Sequence, residues 1–251
     1  MKIDIVTIFP RMVGACLAEG MIARAAEHGL LDLAVHDLRQ FAADRRGTVD
    51  DVPYGGGPGM VLKPEPFVRA VEHVRARRGA PAAVVLTSPQ GTLLTHDEAV
   101  RLSRLHHIVL LCGRYEGIDE RVREQVATEE LSIGDYVVAG GELPAMVVVE
   151  AVARHLPGVV GDAESVRSDS FARKLLDWPH YTRPAELDGW RVPDVLVSGN
   201  HAEIRRWRKR SAVRRTLERR PEMLEQSRLD AEEREILREL RVARQTRKAE
   251  A

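Results

Sequence analysis

Apolar residues in the first 156 positions follow two alternating patterns. Four short runs, "KIDIVTI" from Lys2, "LLDLAVHDL" from Leu30, "AAVVLTS" from Ala82 and "HIVLLCG" from His107, are rich in Val, Ile and Leu and bounded by turn residues. A strand covered on both faces has no polar phase, so these runs predict buried parallel strands. Between them, helical spacing predicts helices over Met12–His28, Pro66–Arg78, Asp97–Leu105 and Glu142–His155. Strand and helix in alternation predict an α/β layer fold with a mainly parallel sheet. The stretch Arg45–Pro66, "RRGTVDDVPYGGGPGMVLKPEP", breaks the rhythm. Its glycines and prolines predict a long mobile loop, and loops of that length are often functional.

After Leu156 the pattern changes. "PGVVGDAESVRSDSFARKLLD" is polar and without a clear period, as a linker would be. Beyond Ser198 the chain is almost wholly helix-forming: one helix over residues 201–220, a second opened by Pro221 at a favoured first-turn position, and a third over Asp230–Arg244. The expected organisation is an α/β domain over residues 1–160, a flexible linker over 161–176 and a small all-helical domain over 177–251. No internal repeat or low-complexity tract occurs.

Composition adds limits. A chain of 251 residues with 44% apolar content can bury a real core. No apolar run approaches the roughly 20 residues that cross a bilayer. The opening "MKIDIVTIFP" lacks the architecture of a secretory signal, and two distant cysteines, Cys16 and Cys112, suggest neither a disulfide framework nor a zinc site. A cytoplasmic protein is expected. Net charge is zero, yet residues 201–251 carry 16 basic and 10 acidic residues, a surplus of +6 balanced by −6 over residues 1–200. Nine basic residues fall within Glu203–Arg220. Such asymmetry fits a polyanion partner, and it equally fits a solvated arginine-rich helix.

Candidate chemistry gathers at three glycine-containing turns: "LTSPQG" (Leu86–Gly91), "LCGRYEG" (Leu111–Gly117) and "SIGDYVVAGGELP" (Ser132–Pro144). Ligands of open α/β sheets bind beyond the carboxyl ends of strands, and glycine lets backbone approach them closely. Any one of the three also reads as an ordinary strand-to-helix turn. The nucleotide fingerprint GxGxxG and the P-loop are absent, as are HExxH, GxSxG and CxxC. His106 and His107 read as partly satisfied surface histidines. "LLDWPHYTRP" (Leu175–Pro184) crowds polar and aromatic groups between prolines that forbid a long helix, and so reads as a short rigid display segment.

These three turns, with the full block "SIGDYVVAGGELPAMVVVEAVARHLPGVVG", "LLDWPHYTRP" and "VSGNHAEIRRWR", occur together and in order. They resemble the bacterial tRNA (guanine-N1)-methyltransferases, from "IFP" near the start to "RRPEML" near the end. The resemblance implies the SPOUT class, an α/β fold whose sheet holds a deep trefoil knot. Chain pattern alone argues against any knot, since threaded chains are rare.

From the resemblance, S-adenosylmethionine would be held in the three turns by Leu86, Ser88 and Pro89, by Gly113, Tyr115, Glu116 and Gly117, and by Ile133, Gly134, Asp135, Tyr136, Val137, Val138, Gly140, Gly141 and Pro144. Asp169 would be the general base that frees N1 of the guanosine at tRNA position 37, and Arg154 would stabilise the charge pushed onto O6. Read alone, Asp169 is an ordinary linker acid, and Arg154 is a helix C-terminal arginine facing the dipole. Asp177, His180, Tyr181 and Arg183 would help form the guanosine pocket. A subset of Arg205, Arg206, Arg208, Lys209, Arg210, Arg214 and Arg215 would meet phosphates of the anticodon branch, with Trp207 packed inward. The resemblance further implies a homodimer with sites at the subunit interface, no other protein partner, and a divalent metal, usually magnesium, for which Glu116 is the candidate. Two departures from the family pattern, Pro58 and the pair Val138–Ala139, bear on pocket shape. The rival readings are a non-catalytic RNA-binding relative and a knotted methyltransferase acting on another RNA.

Overall fold

Five strands, β1 (Lys2–Thr7), β2 (Asp32–Asp37), β5 (Ala83–Leu93), β6 (His107–Cys112) and β7 (Glu129–Ser132), pair in the order β2-β1-β6-β5-β7, every pairing parallel. A short antiparallel pair, β3 (Asp50–Asp51) and β4 (Val61–Leu62), lies in the glycine-rich stretch. The computed structural model describes residues 1–249. Helices α1 (Pro10–Leu17), α2 (Gly20–Glu27), α3 (Pro64–Arg78), α4 (His96–Ser103), α5 (Glu120–Gln125) and α6 (Glu142–Ala153) cover the sheet.

Alternation along β6 sorts the core into two layers. Ile108, Leu110 and Cys112 pack with Ile3, Ile5, Val85 and the buried faces of α1, α2, α4 and α6. Val109 and Leu111 pack on the other side with Val6, Val84, Leu86 and α3. Both faces are therefore covered, which is why these strands carry no polar phase.

The mixed α/β class with a mainly parallel sheet is as the sequence predicts, with instructive differences. The expected helix over Met12–His28 is two helices: the first ends at Leu17, the chain extends at Glu19, and Gly20, with a left-handed φ of 71°, opens the second. β7 was not foreseen, since "EELS" shows neither an apolar run nor helical spacing. His107 is not a surface residue. It is 1% exposed, and its Nε2 lies 2.8 Å from Asp4 on the neighbouring strand. The phase that turns Val109 and Leu111 to the α3 side buries His107 there too, and Asp4 satisfies it.

The chain forms two compact units, the second beginning at Glu164. α7 (Ala163–Ser168) opens it, followed by an antiparallel pair β8 (Glu186–Leu187) and β9 (Trp190–Arg191), α8 (Asp194–Val197), α9 (His201–Arg219), α10 (Met223–Gln226) and α11 (Ala231–Ala249). The unit is thus not all-helical. Asp188 and Gly189, with φ of 51° and 82°, close a two-residue hairpin. An Asp-Gly pair is the sequence signal that predicts such a turn.

Leu175, Val213, Leu217, Leu224, Ile236 and Leu237 form this unit's core. The latter part of the stretch 161–176, expected as linker, is therefore anchored. Leu175 is buried, and the Leu176 amide donates to Thr216 Oγ1 at 2.9 Å. Asn200 caps α9, its side chain accepting from the amides of Ala202 and Glu203. The second helix begins at Met223 rather than Pro221. Glu250 and Ala251, the last residues of the expected C-terminal domain, lie outside the described residues. Among the described residues no helix is long and apolar enough to cross a membrane.

Candidate functional site

At the carboxyl ends of β5, β6 and β7 the three glycine-containing segments enclose a partly open cleft, the kind of concave position at which small-molecule sites form. The first segment differs from the expected turn. β5 runs through it, and its pairing with β7 shifts register between Thr87 and Thr92. A Cβ on Gly91 would come within 2.5 Å of the Glu130–Leu131 backbone, so only glycine lets these strands approach there.

In the second segment the Gly117 amide donates to the Arg114 carbonyl at 3.1 Å. Tyr115, inside this turn, takes a φ of 59°. A bulky residue in the left-handed region costs roughly 1–3 kcal/mol, a strain that persists only where the surroundings over-determine it. The turn is anchored by the long loop: the Glu116 amide donates to the Met60 carbonyl, and the Leu62 amide to Gly117.

The third segment closes on the second. The Gly141 amide donates to the Gly113 carbonyl at 2.8 Å, and Arg114 bridges Gly140 in antiparallel fashion. Thr87 Oγ1 donates to the Leu111 carbonyl at 3.1 Å. Gly141 sits so tightly that a Cβ would meet Thr87 Oγ1 at 2.1 Å and the Gly113 nitrogen at 2.8 Å. Gly141→Ala must therefore move backbone. Its expected cost is about 1–3 kcal/mol, as for an overpacked core, read as a lowered urea midpoint with an unchanged slope. A midpoint equal to that of the unsubstituted chain would show that the junction yields freely.

Fourteen of the sixteen residues expected around a cofactor line this cleft: Ser88, Pro89, Gly113, Tyr115, Glu116, Gly117, Ile133, Gly134, Tyr136, Val137, Val138, Gly140, Gly141 and Pro144. Leu86 does not line it, because strand alternation turns its side chain into the α3 layer. Asp135 is exposed and also outside the lining. Sequence reasoning missed Thr87, Arg114, Leu131, Ser132 and Ala139, all of which lie inside or beside the quoted segments. Cys112, behind the cleft, is no nucleophile: burial first, and then the Glu142 charge, push its thiol well above the usual value.

Arg154 is the exposed C-cap of α6 in the first unit, and Asp169 follows α7 in the second. Backbone bonds fix Asp169, whose amide donates to Ser165 and whose carbonyl accepts from Ala172. Nearby in the second unit, Asp177 organises the display segment. Its Oδ1 accepts from the Trp178 amide at 2.7 Å, and its Oδ2 lies 2.7 Å from His180 Nε2. The Arg208 guanidinium stands over Trp178, 5.1 Å from the ring centre, and Tyr181 packs 6.4 Å from Trp207. Trp178 thus ties the segment to α9. Arg183 precedes Pro184 through a cis peptide.

The basic residues of α9 divide. Lys209 pairs with Asp230 and Glu232, and Arg210 with Glu239. Arg215 donates to the Asp177 carbonyl at 3.4 Å. Arg205, Arg206 and Arg214 are exposed and pair with no carboxylate among the described residues.

A family model described as "tRNA (Guanine-1)-methyltransferase TrmD" matches residues 1–226. The chain belongs to that family. It is 56% identical over 241 residues to a tRNA (guanine-N(1)-)-methyltransferase of Pelotomaculum thermopropionicum, covering 96% of both chains. Relatives of the same description from Geobacter metallireducens and Dehalococcoides mccartyi are 52% and 50% identical, each over 240 residues. Those matches cover 96% of this chain and 98% and 97% of the relatives. The protein is accordingly an enzyme, a TrmD-family methyltransferase acting at guanine N1 of tRNA.

Proposed function

We propose that the chain carries a methyl group from S-adenosylmethionine to N1 of the guanosine at tRNA position 37, immediately 3′ of the anticodon. Family membership sets the reaction class. The observation that supports the donor site is the interlocked cleft, whose three segments offer backbone groups, apolar walls and one residue of each charge, Arg114 and Glu116. Such walls suit an adenine ring and a thioether. When bound, the donor supplies an electrophilic methyl and departs as a neutral thioether, so no protein acid is required for the leaving group.

The demanding step falls to the chain. Guanine N1 holds a proton at neutral pH and attacks only as that proton leaves. Asp169 takes it, and Arg154 offsets the charge that accumulates on O6. Asp177, His180, Tyr181 and Arg183 form the base pocket, because an enzyme that modifies a base must draw it from its stack. A homodimer belongs to the same reading. Phe9 and Met12 at α1, and Leu143 and Val147 on the contacting α6, leave large apolar groups exposed, as a face that receives a second copy would. Residues 1–160 bind the donor, 161–176 connect, and 177–251 hold the tRNA. The knotted path is part of the proposal, supported by the close backbone approaches at Gly91 and Gly141. The protein would act in the cytoplasm, where tRNA is modified.

Magnesium takes no step here. It prefers six oxygen ligands in octahedral geometry, whereas among the described residues Glu116 is the only carboxylate lining the cleft. Among the described residues no group of three or more His, Cys, Asp or Glu is placed to hold a metal ion.

The deciding experiment combines the purified chain, methyl-labelled S-adenosylmethionine and unmodified tRNA with guanosines at positions 36 and 37. Label in N1-methylguanosine at position 37 is expected, and label at another position or in another RNA alone overturns the reading. The exposed arginines add a second check. Arg205→Ala and Arg206→Ala are each expected to flatten log affinity against log salt by about 0.7–0.9. An unchanged slope would remove them from the phosphate contacts.

A further inference from the structure

Arg114 lines the cleft with a guanidinium that is 27% exposed, and no hydrogen bond joins it to any acceptor among the described residues. Its exposed N–H donors are thus open to a ligand, yet its position is closely determined. The charged group lies over the Phe9 ring, 4.9 Å from the centre. Its Nη1 is 3.7 Å from Oε2 of Glu142. Glu142 is 1% exposed, and although its Oε1 accepts from Thr7 Oγ1 at 2.9 Å, its Oε2 is buried without any hydrogen-bond partner.

A buried carboxylate with one oxygen unsatisfied is costly unless a cation stands beside it. Glu142 therefore acts as a fixed counter-ion that holds Arg114 at the cleft wall. Gly140 makes room for the pair: a Cβ there would stand 2.6 Å from both Arg114 Cδ and Glu142 Oε2. The chain thus keeps a cation with open donors at the wall of an otherwise largely apolar cleft. Glu116, of opposite sign, lies two residues along the same turn.

We propose that Arg114 binds the α-carboxylate of the methionine portion of the cofactor, and that Glu142 is the positioning residue that aims it. This rests on the proposed donor, S-adenosylmethionine. A zwitterionic amino-acid end matches one cation and one anion on a single turn, and guanidinium–carboxylate pairing can use two parallel hydrogen bonds. A tRNA phosphate is the other anion such a cation could meet, and the test separates the two.

The experiment is calorimetric titration of the full chain with S-adenosylhomocysteine and with decarboxylated S-adenosylhomocysteine, which lacks only the carboxylate. Arg114→Gln is expected to weaken the first ligand about tenfold to a hundredfold, the range of a charged hydrogen bond. The second should change by less than about twofold, which also serves as the control for folding. Glu142→Gln should weaken S-adenosylhomocysteine selectively and by less. Equal losses for both ligands would make Arg114 a wall of the cleft only and overturn the assignment. Unchanged affinity for both, with a raised KM for tRNA, would give Arg114 to the phosphate and overturn it as well. If the unsubstituted chain binds neither ligand, the donor itself is wrong and this inference falls with it. Unchanged binding of both ligands by Arg114→Gln sinks the inference alone.

Discussion

Asp169→Ala is expected to slow single-turnover methylation of tRNA by about 10²–10⁴-fold, the usual contribution of a positioned general base. Affinity for S-adenosylhomocysteine should stay within about twofold, since Asp169 is not among the residues that line the cleft proposed to hold it. N1 of a neutral guanine has its lone pair only as its proton departs, and the methyl donor gives no help with that proton. Asp169→Asn preserves size and removes basicity, so it should lose as much as alanine. Either variant retains the backbone bonds to Ser165 and Ala172, and the denaturant midpoint of each separates a catalytic loss from a structural one. Methylation by Asp169→Ala within a few-fold of the unsubstituted rate would reassign the base, and a collapse of stability would show that its role is structural.

The second large effect is on stability. Asp4 is fully buried in the central part of the sheet, with His36 Nε2 at 2.5 Å, His107 Nε2 at 2.8 Å and Arg78 Nε at 2.9 Å. Burial alone would raise its carboxyl pKa. Hydrogen bonds from His36, Arg78 and His107, with the Arg78 charge, outweigh that and hold it below the ordinary value of 3.8. Asp4→Ala strips the acceptor from three partners, one of them a buried histidine. Breaking a buried charge network from one side costs about 3–5 kcal/mol, to be read from urea unfolding at neutral pH.

The pH dependence has a definite sign. A carboxyl whose pKa is lower in the folded state contributes its stability fully above the unfolded value near 4. That contribution fades as pH falls through the folded value, where both states are protonated. Unsubstituted protein should lose stability in this acid window more steeply than Asp4→Asn does. Parallel acid limbs for the two proteins would remove Asp4 from the account.

The elements differ in how readily the sequence discloses them, and burial explains the difference. β1, β5 and β6 were legible because strands covered on both faces are written as runs rich in Val, Ile and Leu, and the half-buried β2 because Leu33, Ala34 and Val35 form its middle. β7, "EELS", pairs on one side only, at the sheet edge, and nothing in its four residues announces a strand. The break between α1 and α2 lies in the backbone conformation of Glu19 and Gly20, a property that apolar spacing does not carry. The Asp188–Gly189 hairpin was readable from its residue pair, but its two-residue strands, "EL" and "WR", show no apolar alternation.

The candidate site divides the same way. Glycine turns and the basic helix stand out locally, so most of the cleft lining could be named from the chain. The Arg114–Glu142 pair could not, since Glu142 meets Thr7 across 135 positions and a buried glutamate looks like any first-turn acid.

By itself, then, the sequence determined which segments must be buried, on which period, and, through its ordered motifs, the family and its reaction. Tertiary structure alone decided that Asp4 and His107, 103 positions apart, satisfy one another, and that Gly141 locks the third segment onto the second. It also decided that Arg114 faces the cleft with unused donors. The reason is range. Apolar periodicity records how each residue faces its own layer, whereas charge pairing and steric fit depend on which distant residue arrives opposite, and that is fixed only when the strands are placed side by side.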